Sequence, residues 1–379
     1  MNRSRHNVGS VHLYQTNADL GAVPSTRTWE AVRSLRANPP SHASDKNRRA
    51  TFTSALEQAE QLFLAAESVG LATRPLLIFY GLSQAGRAIA AAHADTSWKL
   101  TGHGIGNGAT DTPGGLAGLT VVPRTNGSFA RIRELVGSSS LPSTTRLGDL
   151  WPLLAETAPF PVEGSSGQHS LAVSVEAADW GYGIPVVTVH DLPNALLDIG
   201  QSTREPFSGL GANYGQQAEA VATYLQPYPS LSPRLPFTSN GEPVGLQLAD
   251  DFTSSIRFRW PESVYEQHPT PGSLLREIAT TYGAQARAYP SLDGGPRPVH
   301  PLMIWWALLF RLSMLARYEP EEWVRTIDVN TSPDAVPVEH LLTAALTSVP
   351  ELIYRAITEP PDAPAHDAAP ASEYGAEWM

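Results

Sequence analysis

Between Arg74 and Ala92 the chain reads RPLLIFYGLSQAGRAIAAA, and the spacing of its apolar residues limits the fold more than any other stretch. Ile78, Leu82, Ala85, Ile89 and Ala92 recur at intervals of four, three, four and three, the stripe of a helix with one face in a core. Thr73 stands where a cap belongs, and Pro75 falls in the first turn, where its missing N–H matters least. At about 100° per residue, Tyr80, Ser83, Gln84 and Arg87 gather in a separate sector, a polar stripe on an otherwise apolar helix. The same residues admit a second reading. LLIFY-GLSQAG-RAIAAA has the strand, tight turn and helix outline of a nucleophile elbow, with Ser83 as nucleophile in an α/β-hydrolase-type serine esterase. Against it, the second small residue is Ala85, with the glycine displaced to Gly86, and residues 26 to 70 read as helices where a hydrolase needs parallel strands. Asp191, Asp198, His268 and His300 are available as triad partners, but no local signature selects among them.

The flanking sequence extends the helical pattern. Thr26 to Arg36 reads as a short helix ended by Pro39-Pro40. Arg48 to Val69 places Phe52, Leu56, Ala59, Phe63 and Ala66 on one stripe, with Gly70 as its stop. GHGIGNGATDTPGG then reads as a turn-rich loop. Thr120 to Pro123 predicts a short strand, and Ser128 to Val136 and Leu147 to Thr157 predict helices. From about Pro161 the character changes: SLAVSVEA, IPVVTVH, PVGLQLAD and SSIRFRW are strand-like, with helices only at Gln216 to Leu225 and Leu274 to Tyr282. Helical pattern returns in PLMIWWALLFRLSMLARY, PEEWVRTI and PVEHLLTAALTSV. The expectation is an α+β fold, predominantly α, in which residues 1–160 and 299–360 form helical regions packed together. Residues 161–298 form a β-rich middle insertion, and 361–379 have the composition of a disordered tail.

Composition narrows the chemistry. With no cysteine in the chain, disulfides, thiolate nucleophiles and Cys-ligated zinc are excluded. No His pair has metal-ligand spacing and no Gly-rich phosphate loop ends in GK[ST], so neither a metal nor a cofactor is expected. A formal net charge of -11 argues against wholesale binding to phosphate backbones, while leaving room for a local basic groove. The N-terminus lacks the apolar run of a signal peptide, and the most apolar stretch, Pro301 to Tyr318, is interrupted by Arg311 and Arg317. A cytoplasmic chain with no membrane partner is expected.

Candidate ligand-binding residues follow from the polar stripe: Tyr80, Ser83, Gln84 and Arg87, with Lys99 on the following segment. The structural alternative is that the stripe hydrogen-bonds to a neighbouring helix. His103, between Gly102 and Gly104, puts an imidazole on a loop that permits close approach of a ligand or simply makes a tight turn. Leu82-Ser83-x-x-x-Arg87 is echoed by Leu312-Ser313-x-x-x-Arg317, and Arg317 is a candidate to join Arg87 in one basic pocket. A structural ion pair is the other reading of Arg311 and Arg317.

ALEQAEQLFLAAESVG, RPLLIFYGLSQAGRAI, WKLTGHGI and PLMIWWALLFRLSMLARYEPEEW together resemble the YaaC-like proteins of bacteria over most of the chain. That family brings no established catalytic residues to transfer. FYGLSQAGRAI is also similar to a helix of HEPN-type domains, and Arg87 and His93 match the R-x4-6-H spacing of HEPN ribonucleases. That resemblance implies metal-independent RNA cleavage, with Arg87 and either His93 or His103 as catalytic residues. On a straight helix, six residues leave Arg87 and His93 about 120° apart. The comparison of GHGI with a His-Gly-Val-like segment makes His103 the matching histidine. The resemblance implies an RNA- or nucleotide-interacting protein of bacterial stress response or phage defence. The alternative is a non-catalytic scaffold acting through a protein partner or a homo-oligomer.

Overall fold

The computed structural model describes residues 28–108, 115–176, 186–193, 195–196, 214–232, 247–248, 256–259, 270–283 and 285–359. Its helical body starts with α1 (Thr28–Ala37), α2 (Lys46–Ser68) and α3 (Arg74–His93). Asp45 caps α2 by accepting the Asn47 N–H at 2.8 Å, and the predicted stripe Phe52, Leu56, Ala59, Phe63 and Ala66 is wholly buried. In α3 the residues Ile78, Leu82, Ala85, Ile89 and Ala92 are likewise buried. Thr73 makes no side-chain cap, so Pro75 alone of the two predicted start signals operates.

Two glycines let α3 sit between neighbours. A Cβ on Gly81 would lie 2.7 Å from the Phe63 ring of α2, and one on Gly86 would lie 2.6 Å from the Trp306 ring of α7 (Pro301–Tyr318). α7 is buried from Pro301 to Leu315, as its unbroken apolar run predicts. Contacts pair Tyr80 with Arg317, Phe79 with Phe310 and Gly86 with Trp306, so α3 and α7 run antiparallel. The helices α4 (Ser128–Leu135), α8 (Pro320–Thr326) and α9 (Ala335–Thr358) complete one core that runs from Val32 to Ile357. The N- and C-terminal helical regions therefore share a core.

Two sheets are described, the smaller within the N-terminal region and the larger in the middle of the chain. A small antiparallel sheet joins β1 (Ile105–Asn107), β2 (Thr120–Pro123) and β3 (Thr145–Arg146) in that order. A larger one has the order β6-β7-β5-β4-β9-β8, every pairing antiparallel, from β4 (Leu171–Glu176), β5 (Val186–Val189), β6 (Gln247–Leu248), β7 (Ile256–Arg259), β8 (Thr280–Tyr282) and β9 (Gln285–Ala288). With α5 (Tyr214–Leu225) and α6 (Pro271–Ile278) this sheet encloses its own core around Val173, Val187, Ile256 and Leu274.

Three expectations are corrected. The helix expected to reach Tyr282 stops at Ile278, because Thr280-Thr281-Tyr282 pairs with Gln285–Ala288 across a tight hairpin at Gly283, whose φ is 61°. The loop GHGIGNG contains a strand, since Ile105–Asn107 pairs with Val121–Pro123. Leu147 to Thr157 is not one helix: an α-helical turn gives way to 3-10 turns at Trp151–Leu153 and Ala155–Thr157, Pro152 being unable to continue the hydrogen-bond ladder. The tail at 361–379 and most of the PVGLQLAD stretch lie outside the described residues.

Candidate functional site

The polar stripe of α3 reaches the surface at one edge of the α3–α7 contact. Ser83 is buried, while Tyr80, Gln84 and Arg87 are half-buried. The Arg87 guanidinium donates through Nη1 to the Ser83 carbonyl at 3.3 Å and to Gln84 Oε1 at 3.3 Å, with Ser83 Oγ at 3.5 Å. From α7, Arg317 donates through Nη1 to the Tyr80 hydroxyl at 2.6 Å and lies over the Tyr318 ring at 5.0 Å. Among the described residues no carboxylate forms an ion pair with Arg87 or Arg317. Arg311, one turn and a half earlier on α7, differs: it is fully buried and pairs with Glu319 at 3.5 Å. The structural ion pair is thus found at Arg311 and not at Arg317.

A loop carries His103 to the same place. Gly102 and Gly104 take positive φ of 68° and 73°, and a Cβ on Gly104 would lie 2.8 Å from the Phe129 nitrogen. The Ser128 N–H and hydroxyl donate to the Gly102 carbonyl at 3.1 and 2.7 Å, and the Phe129 N–H donates to the His103 carbonyl at 2.9 Å. Fastened in this way to the start of α4, the loop lays the His103 ring against Phe79 at 5.6 Å and Phe310 at 6.2 Å. Partial burial against these rings lowers the His103 pKa, and the positive charges of Arg87 and then Arg317 lower it further. Both guanidinium groups therefore bear on one imidazole.

The other nominated residues go elsewhere. His93, the last residue of α3, has Nε2 2.8 Å from the Ile357 carbonyl of α9, and its lowered pKa comes first from burial. It does not join Arg87, in agreement with the angle between them on a straight helix. Lys99 lies over the Trp98 ring at 5.4 Å on an exposed segment, with no contact to the cluster among the described residues. The nucleophile elbow is corrected outright. Residues 76–80 are helical, Ser83 sits inside α3, and the sheets are antiparallel, so neither the strand nor the sharp turn exists. Asp191 pairs with Arg287 and His300 caps α7, away from Ser83; Asp198 and His268 lie outside the described residues.

Sequence reasoning missed Phe79 and Phe310, the aromatic wall behind His103. Each lies beside a residue it singled out, Phe79 next to Tyr80 and Phe310 next to Arg311, but as apolar letters in apolar helices they read only as core. Among the described residues no group of three acidic or histidine side chains is placed to hold a metal ion, and no helix is long and apolar enough to cross a membrane. A protein-family model described as YaaC-like Protein matches residues 23–357. No curated protein and no solved structure matches the chain.

Proposed function

The chain belongs to the YaaC-like protein family, and from that starting point we propose that Arg87, His103 and Arg317 receive a phosphate of RNA or of a nucleotide. Unmatched charge carries this reading: Arg87 and Arg317 stand on the facing helices α3 and α7, the His103 ring packs on Phe79 and Phe310 of the same two helices, and no carboxylate among the described residues pairs with either arginine. A planar guanidinium fork suits phosphate oxygens better than an ammonium does. The exposed Tyr318 ring offers a face on which a base can stack. A role in bacterial stress response or phage defence belongs to the same proposal and rests on the similarity of FYGLSQAGRAI to a HEPN-type helix alone.

Cleavage is the second reading, favoured by the lowered pKa of His103. A neutral imidazole can accept the proton of a ribose 2′-hydroxyl. The 2′-oxygen then attacks the adjacent phosphorus, forming a 2′,3′-cyclic phosphate, and the departing 5′-oxygen takes its proton from water. Arg87 and Arg317 would hold the charge that builds on the phosphoryl oxygens.

Fluorescence anisotropy with a labelled single-stranded RNA, and with labelled ATP, tests the binding. Arg87→Ala and Arg317→Ala should each weaken the tighter of the two ligands by about tenfold. His103→Ala should abolish any cleavage while keeping most of the binding. Wild type that binds neither ligand, or variants that bind as wild type does, would sink the proposal and leave the scaffold reading, in which the stripe serves only to hold helices together.

A further inference from the structure

A cavity of about 500 Å³ lies where the helical body meets the larger sheet. Its size falls within the range of small-molecule sites, and seams between structural units are where such sites concentrate. The helical side supplies an apolar wall from Trp151, Pro152, Leu154 and Pro161. The sheet side supplies Ser170, Asp191, Gln285 and Arg287. Arg287 is buried and nearly saturated. Its Nε donates to Ser170 Oγ at 2.8 Å, Nη1 to Gln285 Oε1 at 2.6 Å, and Nη2 both to the Ser170 carbonyl at 2.7 Å and to Asp191 Oδ2 at 2.9 Å. Four of its five N–H groups are thereby used.

That saturation defines what is left for a ligand. The carboxylate of Asp191 cancels the guanidinium charge, which disfavours an anion. Asp191 Oδ1 accepts no hydrogen bond among the described residues. Because Arg287 can only donate, the Gln285 oxygen must face it, and the Gln285 NH2 group is turned outward as a donor. One arginine fork thus holds an acceptor and a donor side by side. Asp191 is fixed there at a φ of 64°, in the left-handed region, with the His169 Nε2–H donating to its carbonyl at 2.5 Å. Ser165 Oγ also lines the cavity and has no partner among the described residues.

We propose that this seam binds an uncharged planar heterocycle through a lactam edge. The ring N–H donates to Asp191, the neighbouring carbonyl accepts from Gln285, and the flat face lies against the Trp151–Pro161 wall. This site is separate from the phosphate cluster and stands without it. Uridine is the probe, because it carries the lactam edge and no charge, and N3-methyluridine lacks only the ring N–H. By equilibrium dialysis, wild-type protein should bind uridine saturably and N3-methyluridine about tenfold more weakly. Asp191→Asn, which tolerates the positive φ, and Ala158→Trp, which fills the cavity from an exposed position, should each weaken uridine by about tenfold or more. Arg325→Ala, at an exposed position on α8 outside both sites, should leave uridine binding unchanged. Absence of saturable uridine binding, or binding equal to wild type in Asp191→Asn or Ala158→Trp, would overturn the assignment.

Discussion

At the outer end of the α3–α7 contact, two guanidinium groups on facing helices find only two hydroxyls, a carbonyl and an amide oxygen. At the seam below the sheet, one guanidinium is locked by a carboxylate, a serine, a carbonyl and an amide. The same side chain is used in opposite ways. Arg287 has spent its hydrogen bonds inside the protein and so fixes geometry. Arg87 and Arg317 keep most of theirs, which makes them good partners for an incoming anion. Burial alone does not separate the two regions, since Arg87 is itself half-buried. The presence or absence of a carboxylate does.

The largest test of this contrast is stability. Arg287→Ala strands the Ser170 carbonyl, the Gln285 amide and the Asp191 carboxylate, and should cost about 2–4 kcal/mol in urea unfolding. Arg87→Ala removes weak contacts near water and should cost less than about 1 kcal/mol. Equal losses would mean that Arg87 is as structural as Arg287, and the contrast would break.

What could be read from the sequence was what depends on neighbours along the chain. The stripes Phe52 to Ala66 and Ile78 to Ala92 are buried as predicted, because helical periodicity records which face meets a core. The polar stripe was legible for the same reason. Arg317 enters the sequence reading only through the Leu-Ser-x-x-x-Arg echo, because its contact with Tyr80 joins residues 237 apart, which no local pattern records. His93 draws notice by its spacing from Arg87, whereas the GHGI comparison points to His103, whose loop Gly104 and Gly127 fasten onto α4 and whose pKa the charge of Arg87 lowers. In the sheet, Thr280–Tyr282 reads as the end of a helix because a strand of three residues has too little alternation to show. Only its pairing with Gln285–Ala288 defines it.

Acid separates the two kinds of histidine by a smaller amount. His300 caps α7 by accepting the Leu302 N–H through Nδ1 at 3.2 Å, and burial lowers its pKa from 6.5 to about 4. Between those values the unfolded chain takes up a proton that the folded chain refuses, so stability falls as pH falls through the window. The residue keeps some exposure, which limits the loss to about 1–2 kcal/mol. His300→Asn preserves a cap without a titrating ring and should flatten the slope of urea midpoint against pH. An unchanged slope would assign the acid sensitivity to other groups.

His103 should respond in the opposite sense, and more weakly. Its pKa is also lowered, but by Arg87 and Arg317 as well as by burial, so in the free protein it becomes charged only below the ordinary histidine range. A bound phosphate cancels part of the repulsion from the two arginines and raises that pKa, and linkage then requires binding to strengthen as pH falls. The expected gain is a few-fold in affinity between about pH 7.5 and pH 5.5, below one pKa unit of coupling. It should vanish in His103→Ala and persist in His300→Asn. The measurement is an anisotropy titration at fixed ionic strength, since salt weakens the same contacts. Affinity that is flat with pH in wild type would mean that the imidazole does not face the phosphate, and would leave the two arginines to bind without it.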